Sequence, residues 1–369
     1  MRNRKIQIYG TFGPACKSQE ILEEMVKCGM TGMRLNLSHT TLEKSKEYIE
    51  NYRNAARNQG VKPQILIDMQ GPELRIGNME EVLLSEGDIV EFVTKEKMRN
   101  IRNKEGFYIP KKADRDRIYE DRIAADENEI KKGIIKVPIP SEVMEVIYPE
   151  MEVLLDDGKI RVQIVEVNGQ TAVAKVLMGG ALKPHKSIKA VNVNVPMPVL
   201  TEHDLCNIRQ AKEYGVTALM QPFVFSGEDL KKVRKILKEE NVEELQIFAK
   251  IENRIGIENL ENILPETDLI VIARGDLGND MPLWELPAEQ KKIENTCKKH
   301  GKPYMVVTQM LSSMEKNPVP TRAEVSDVFH AVYHGAEAVM VTGETAVGKY
   351  PVEVMKYLAN TAREAEAFV

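Results

Sequence analysis

The sequence has few cysteines and no long hydrophobic run. Cys16, Cys28, Cys206 and Cys297 stand far apart and form no Cys-x-x-Cys pair. This spacing argues against a disulfide framework or a zinc site and is typical of reduced structural thiols. No apolar stretch approaches membrane-spanning length, and no signal-peptide pattern precedes the strand-like residues 6–8. We therefore expect a soluble, cytoplasmic protein.

The sequence also lacks an excess of basic residues. Its 51 Lys and Arg against 56 Asp and Glu give a formal net charge of -5, and the basic residues are spread along the chain. A polyanion-binding surface needs clustered positive charge, so neither nucleic acid nor a membrane surface is an expected partner. With 369 residues, of which 43% are hydrophobic, the chain can bury a large core.

Short apolar runs alternate with longer amphipathic segments, which is typical of β/α units. Each run except the third is followed by a helical pattern. Eight runs are predicted to be strands, namely 4–9, 32–37, 64–68, 217–223, 246–251, 268–273, 303–307 and 337–342. Because eight such units close a barrel, the predicted fold class is α/β, a (β/α)8 TIM barrel.

The third strand is followed by a segment of different texture. Glycines and charged residues separate short alternating runs such as 160–164, which predict a small antiparallel, β-barrel-like domain inserted after strand 3. Residues 97–133 are densely charged and are predicted to form a solvated excursion. The cap-like residues 201–204 predict a helix start before strand four. The expected division is 1–75 for the first part of the barrel, 76–185 for the inserted β-rich domain and 186–369 for the second part.

The carboxyl ends of barrel strands form the active site in this fold, so polar residues there are candidates. Arg34, Asn36 and Ser38 end strand two, and a period of two places the three side chains on one face. Asp68 ends strand three and puts a carboxylate at the rim. The alternative for strand two is an edge strand whose polar residues face water.

Three candidates carry a weaker signal. Glu73 and Arg75 share a face where the chain leaves the barrel, and an interdomain salt bridge is nearly as good an interpretation as a role in the site. Thr308 ends strand seven, where its hydroxyl could position a proton or a water. Many barrel strands end in a threonine that only caps a loop.

Strands five and six end in groups suited to metal binding. Lys250 and Glu252 are two residues apart and share a face, and a buried lysine is costly unless an anion meets it. A structural ion pair between the two is the alternative. Asp276 ends strand six beside Glu252, and Gly275 leaves the backbone open to a ligand. Two rim carboxylates on neighbouring strands fit a hard divalent cation, Mg²⁺ or Mn²⁺.

Nine motifs follow one another along the chain, at residues 11–14, 34–39, 68–75, 156–158, 250–253, 273–278, 308–311, 320–324 and 343–351. In these motifs, and in their order, the sequence resembles the pyruvate kinase family over nearly its whole length. The resemblance implies phosphoryl transfer from phosphoenolpyruvate to ADP, giving pyruvate and ATP. It also implies that the inserted domain closes as a lid and that barrel contacts build homo-oligomers.

The resemblance assigns roles to particular residues. Glu73 marks potassium dependence in the family. The implied residues are Lys250, Arg34 and Thr308 for catalysis; Arg34, Lys250, Gly275, Asp276 and Thr308 for substrate binding; Glu252 and Asp276 for Mg²⁺ or Mn²⁺; Asn36, Ser38, Asp68 and Met69 for K⁺; and Arg75, His39, Asn36 and Lys186 for the nucleotide.

The sequence departs from the family pattern in several places. Pro222 replaces a serine, Gln70 replaces a lysine, and residues 186–189 read Lys-Ser-Ile-Lys. The chain ends at the eighth barrel helix, so we expect a short form without the regulatory C-terminal domain. Two alternatives stay open: an enolpyruvate and metal enzyme acting as a lyase or on another phosphoryl acceptor, and a catalytically weak regulator that binds phosphoenolpyruvate or nucleotide.

Overall fold

The computed structural model describes residues 6–38, 40–98, 134–191, 193, 195 and 197–368. Contacts divide the chain into two units. The first consists of Met1–Pro72 and Pro198–Val369, and the second of Glu73–Met197.

The described part of the chain contains sixteen strands. They are β1 (Gln7–Thr11), β2 (Gly32–Asn36), β3 (Gln64–Asp68), β4 (Val82–Leu84), β5 (Ile89–Thr94), β6 (Ile135–Ile139), β7 (Glu152–Leu155), β8 (Ile160–Asn168), β9 (Thr171–Met178), β10 (Gly180–Leu182), β11 (Ile188–Ala190), β12 (Ala218–Gln221), β13 (Gln246–Ile251), β14 (Leu269–Ala273), β15 (Tyr304–Val307) and β16 (Ala338–Met340).

Twelve α-helices are described over their full length. They are α1 (Gln19–Cys28), α2 (Lys46–Asn58), α3 (Ser141–Met144), α4 (Glu202–Gln210), α5 (Gly227–Glu239), α6 (Arg254–Glu258), α7 (Leu260–Ile263), α8 (Arg274–Asn279), α9 (Leu286–Lys299), α10 (Arg322–Tyr333), α11 (Gly343–Ala346) and α12 (Pro351–Glu366).

The first unit contains a closed, all-parallel barrel. Its strands follow in the order β1-β16-β15-β14-β13-β12-β3-β2, and every neighbouring pair is parallel. Each of the eight strands predicted from the sequence is present within a few residues of its expected position. The predicted (β/α)8 barrel is confirmed.

Alternation along the barrel strands decides which side chains reach the barrel mouth. Ile65 and Ile67 belong to the large core that also contains the helices, whereas Leu66 belongs to a separate cluster with inward residues of the other strands. A period of two therefore carries Asp68 onto the inward face. The same alternation carries Lys250 inward, because Phe248 lies in the inner cluster.

Three barrel helices begin with a capping box, in which the first residue and the acid three positions later bond reciprocally. The pairs are Thr201 with Asp204 at α4, Ser226 with Asp229 at α5, and Thr321 with Glu324 at α10. The helix start predicted at residues 201–204 is confirmed.

The second unit is built on a six-stranded sheet of order β11-β7-β8-β9-β5-β6, with a separate β10-β4 pair. Among the described strands of this unit, the pairings are antiparallel except β5 with β6, which is parallel. The prediction of an antiparallel insert was wrong at this pair. A parallel neighbour needs a crossover of a dozen or more residues, and the 40 residues between Thr94 and Ile135 are long enough. Most of the predicted excursion, residues 99–133, lies outside the described residues.

Among the described residues, no helix is long and apolar enough to cross a membrane. All four cysteines are free. Burial raises the pKa of the Cys16 thiol to about 11 and that of Cys297 to about 12. Both thiols are therefore protonated at neutral pH, and the structural role expected for them stays a prediction.

Candidate active site

A chain of ion pairs crosses the carboxyl end of the barrel. Arg34 on β2 donates from Nε and Nη2 to Oδ2 of Asp68 on β3, at 2.9 and 2.6 Å. Lys250 on β13 places Nζ 3.4 Å from the other Asp68 oxygen and 2.8 Å from Oε1 of Glu252. The four side chains are 12, 4, 14 and 1% exposed in the order Arg34, Asp68, Lys250, Glu252. The structure thus brings four of the predicted site residues together in a mostly dry setting.

Attraction among the four charged side chains outweighs the cost of burying them. Burial by itself raises the pKa of Asp68, but Lys250 and Arg34 hold that pKa below its ordinary value. Burial likewise opposes the charged form of Lys250, yet Asp68, Glu252 and Asp276 together raise its pKa well above the usual value. At neutral pH Lys250 is therefore a fixed cation at the barrel mouth.

Two buried carboxylate oxygens have capacity for a further partner. Asp68 Oδ1 and Glu252 Oε1 accept no aligned hydrogen bond from the described part of the chain, although each lies close to Lys250 Nζ. The second Glu252 oxygen accepts from the backbone N–H of Phe223 at 2.9 Å, where φ is +53°. Glu252 is thus held in one orientation, and its Oε1, which forms an ion pair with Lys250, has lone-pair capacity for one further partner.

The donor set fits a hard divalent cation. Asp276 is exposed in the first turn of α8, and it lies near enough to Lys250 to raise the pKa of the lysine. Within the residues that the structure describes, no three His, Cys, Asp or Glu side chains form a ready-made metal cage. Oxygen ligands from few side chains, with open positions, are what Mg²⁺ and Mn²⁺ take when substrate oxygens complete the shell.

The residues implied for K⁺ lie at the ends of two paired strands. Asn36 pairs in register with Asp68, and the Asp68 carbonyl accepts from the N–H of Leu37 at 2.9 Å. That the Ser38 side chain continues the inward face of the strand stays a prediction. β2 ends at Asn36, and the backbone of Ser38 lies in the following turn. Its N–H instead donates to Oδ1 of Asn36 at 3.1 Å.

Thr308 is held in a strained conformation. Its φ is +76°, and that of Gln309 is +55°. Arg274 donates to the Thr308 carbonyl and binds both carboxylate oxygens of Asp327 through Nη1, at 2.9 and 2.7 Å. A Cβ added to Gly275 would lie 3.2 Å from Cγ2 of Thr308. Gly275 and Thr308, both predicted to contact substrate, are therefore neighbours.

Two supporting residues were missed by the sequence reasoning. Thr11 at the end of β1 is buried and accepts from Arg34 Nη1 at 3.3 Å. Polar residues at the carboxyl ends of the strands are candidates, and applying this strand-end rule to the first strand would have found Thr11. Asp327 lies on α10, 53 residues beyond its partner Arg274. The strand-end rule gives no signal for it, because only the fold brings the two together.

The residues implied for the nucleotide fall in different places. Arg75 and Lys186 lie in the second unit. There Arg75 pairs with Glu73 at 2.8 Å and donates to the His185 carbonyl at 2.8 Å, while Lys186 pairs with Asp156 at 2.8 Å. The Glu73–Arg75 ion pair thus forms within one unit, not between two.

One residue of the implied nucleotide set escapes structural description. His39 lies outside the described residues. Asn36, the remaining member, belongs to the barrel.

Comparison with known proteins gives consistent matches. The family model for the pyruvate kinase barrel domain matches residues 3–122 and 112–355. A pyruvate kinase of Staphylococcus epidermidis is 38% identical over 366 residues, which are 99% of this chain and 57% of that protein. A pyruvate kinase of Geobacillus stearothermophilus is 36% identical over 98% of this chain and 57% of its own length. A pyruvate kinase of Clostridium perfringens is 32% identical over 99% of this chain and 71% of its own length. The chain spans little more than half the length of most of these relatives.

Proposed function

Because the chain belongs to the pyruvate kinase family, we propose that it transfers the phosphoryl group of phosphoenolpyruvate to ADP, giving pyruvate and ATP. One observation carries the proposal. Lys250 is a buried cation on the inward face of the barrel, between Asp68 and Glu252 at 3.4 and 2.8 Å. Such transfer depends on positioning and charge neutralisation and needs no covalent nucleophile.

Each barrel residue of the proposed site has a specific task. Arg34, oriented by Asp68 and Thr11, binds the phosphoryl group of phosphoenolpyruvate. Lys250 offsets the negative charge that develops on the moving group and on the enolate left behind. The hydroxyl of Thr308 lies on the route by which the enolate gains its proton. Arg34 and Lys250 are held by ion pairs in the protein alone, so little reorganisation is needed when substrate binds.

The remaining groups bind and orient. The backbone N–H groups of Gly275 and Asp276 receive the substrate carboxylate, because the first N–H groups of a helix have no partner within it. Glu252 and Asp276 would hold a divalent ion, which when bound supplies positive charge to the phosphate oxygens. Asn36, Ser38, Asp68 and Met69 would hold K⁺. For the nucleotide we propose contacts from Arg75, Lys186, Asn36 and His39.

A coupled assay tests the proposal directly. The purified chain is mixed with phosphoenolpyruvate, ADP and Mg²⁺ while KCl is titrated, and pyruvate is measured through lactate dehydrogenase. We expect turnover that depends on ADP and rises with K⁺, and none from a Lys250→Met variant purified in parallel. Absence of pyruvate with every nucleoside diphosphate would overturn the proposal. Pyruvate released without any nucleotide would instead favour the lyase alternative.

We further propose that the protein acts in glycolysis in the cytoplasm. This follows from the substrates proposed above, since both are small soluble metabolites.

A further inference from the structure

Asp204 has more partners than a helix cap requires. It lies at the third position of α4 and is 0% exposed. Its Oδ2 accepts from the N–H and the hydroxyl of Thr201, each at 2.8 Å, which completes the capping box. The same carboxylate also accepts from the N–H groups of Gln70 and Gly71, at 2.8 and 3.1 Å. These two residues are 134 and 133 positions away in the sequence.

The other two capping-box acids of the barrel show how unusual this is. Asp229 accepts from Phe225 and Ser226, which belong to its own turn. Glu324 accepts from Thr321 and from Ser313, eleven residues earlier. Among the described residues, neither acid accepts a hydrogen bond from the segment that follows β3.

The extra bonds of Asp204 begin where the barrel ladder stops. The N–H of Met69, directly after β3, still donates to the Met220 carbonyl of β12 at 3.2 Å. The next two N–H groups, of Gln70 and Gly71, donate to Asp204 instead. A buried N–H without a partner is costly, and a bond to a carboxylate is stronger than one to a neutral acceptor. We call residues 69–71 the β3 turn. Met220 holds its first N–H, and Asp204 holds the next two.

The β3 turn directly follows Asp68, the residue that joins Arg34 to Lys250. Only Met69 separates Asp68 from Gln70, whose N–H donates to Asp204, so a displaced β3 turn is expected to shift the Asp68 carboxylate. We propose that Asp204 is a positioning residue for the active site, one that holds the β3 turn so that Asp68 meets Arg34 and Lys250.

The same carboxylate also holds the segment by which the chain returns to the barrel. The first unit ends at Pro72 and resumes at Pro198, and Thr201 lies just after the second of these points. Asp204 thus joins the departing and the returning segment on the barrel side. A change at Asp204 is expected to loosen both.

Hydrogen exchange at individual amides tests the proposal without reference to activity. In Asp204→Asn the side chain keeps its shape, but an NH₂ group replaces one of the carboxylate oxygens. This NH₂ group cannot accept the hydrogen bonds that the oxygen accepted. We expect the amides of Gln70 and Gly71 to exchange at least about tenfold faster than in the wild type, because each loses a charge-assisted bond. Asp229→Asn is the matched control, since it removes the same kind of cap from α5 and none of the hydrogen bonds that Gln70 and Gly71 donate.

Substrate kinetics supply a second readout, which rests on the proposed function. In Asp204→Asn the KM for phosphoenolpyruvate should rise several-fold while the KM for ADP stays unchanged, because Arg34 and Lys250 depend on Asp68. In Asp229→Asn both should stay unchanged. An inactive wild type would contradict the proposed function, and the exchange comparison would still decide the role of Asp204.

The proposal is overturned if Gln70 and Gly71 exchange at the wild-type rate in Asp204→Asn, or if Asp229→Asn accelerates them equally. Should Asp204→Asn fail to fold, Asp204→Glu keeps the charge and moves the carboxylate by one methylene. Faster exchange at the β3 turn is then expected in Asp204→Glu, and unchanged rates there would equally overturn the proposal.

Discussion

Arg274 donates two hydrogen bonds to the carbonyl oxygen of Thr308, from Nε at 3.0 Å and from Nη2 at 2.6 Å. Thr308 has a φ of +76°, a conformation that costs a non-glycine residue about 1–2 kcal/mol. The remaining guanidinium nitrogen binds Asp327. The planar guanidinium group of Arg274, whose donors have a fixed geometry, therefore offsets the strain of the conformation that positions the Thr308 hydroxyl.

Replacing Arg274 by lysine tests this relationship. Lysine keeps the charge but cannot bond the carbonyl and the carboxylate in the same geometry, so we expect a loss of about 2 kcal/mol in the free energy of unfolding. Turnover should also fall, since Thr308 is no longer held. Urea denaturation and kcat measure the two effects. Arg209→Lys is the control, because Arg209 is half-exposed in its pair with Glu240; equal effects of the two substitutions would contradict the prediction.

Lys250→Met removes the cation from the buried ion-pair chain. Asp68 and Glu252 then remain buried without it, and breaking such a pair costs about 3–5 kcal/mol. We expect a folded but destabilised protein without turnover. Asp68 keeps its ion pair with Arg34, so adding Glu252→Gln, which removes the charge that loses its partner, should recover part of the stability and no activity. A double variant less stable than Lys250→Met would count against the pairing.

The lowered pKa of Asp68 predicts a pH dependence of stability with a definite sign. A group whose pKa is lower in the folded protein stabilises it above the pKa of the unfolded chain, about 3.9 for aspartate, and loses that effect as pH falls through the folded value. Asp68→Asn should therefore be less stable than the wild type by a constant amount between about pH 5 and 8. The difference should shrink below about pH 4.

Urea unfolding of both proteins across this range measures the effect. Lys250 responds in the opposite direction, because its raised pKa gives stability that is present at neutral pH and lost only in strong alkali. A difference between wild type and Asp68→Asn that grows in acid would show that Asp68 is not ion-paired.

Much of the fold and part of the site follow from sequence patterns that act over short distances. Hydrophobic alternation fixes the barrel strands, and it places Arg34, Asp68 and Lys250 inward because side-chain direction in a strand depends only on position. The end of β2 at Asn36 could not be predicted in this way, because strand ends depend on hydrogen bonds that periodicity does not report.

Contacts across the fold could not be predicted in this way. The bonds from Asp204 to Gln70 and Gly71 join residues more than 130 positions apart. The sequence around Asp204 carries the signal of a helix cap, which is correct, but nothing local distinguishes it from Asp229. The parallel pairing of β5 with β6 also could not be predicted, because an alternating sequence suits a parallel and an antiparallel neighbour equally.

Binding of Mn²⁺ tests the proposed divalent site independently of turnover. Glu252→Gln and Asp276→Asn each remove a charged oxygen ligand, so each should weaken Mn²⁺ binding about tenfold or more. Electron paramagnetic resonance measures free Mn²⁺ directly. Glu258→Gln is the control, since Glu258 is an exposed acid on α6, six residues from Glu252. Equal weakening by Glu258→Gln would indicate only a general effect of charge.

Gly71 gives a sharp test of the β3 turn, because two costs of a side chain there can be separated. Its φ is +61°, and an added Cβ would lie 2.5 Å from Cγ of Pro222; Gly60 has a φ of +65° and open space around it. Gly60→Ala should therefore cost about 1 kcal/mol from strain alone, and Gly71→Ala about 3 kcal/mol from strain and overlap together. Removing Cγ in a Pro222→Ala background should lower the effect of Gly71→Ala towards that of Gly60→Ala, with the contact to Cδ2 of Phe223 at 3.3 Å remaining. Unfolding free energies of the five proteins complete this cycle. An undiminished cost in the Pro222→Ala background would mean that the turn resists a side chain for a reason other than contact with Pro222.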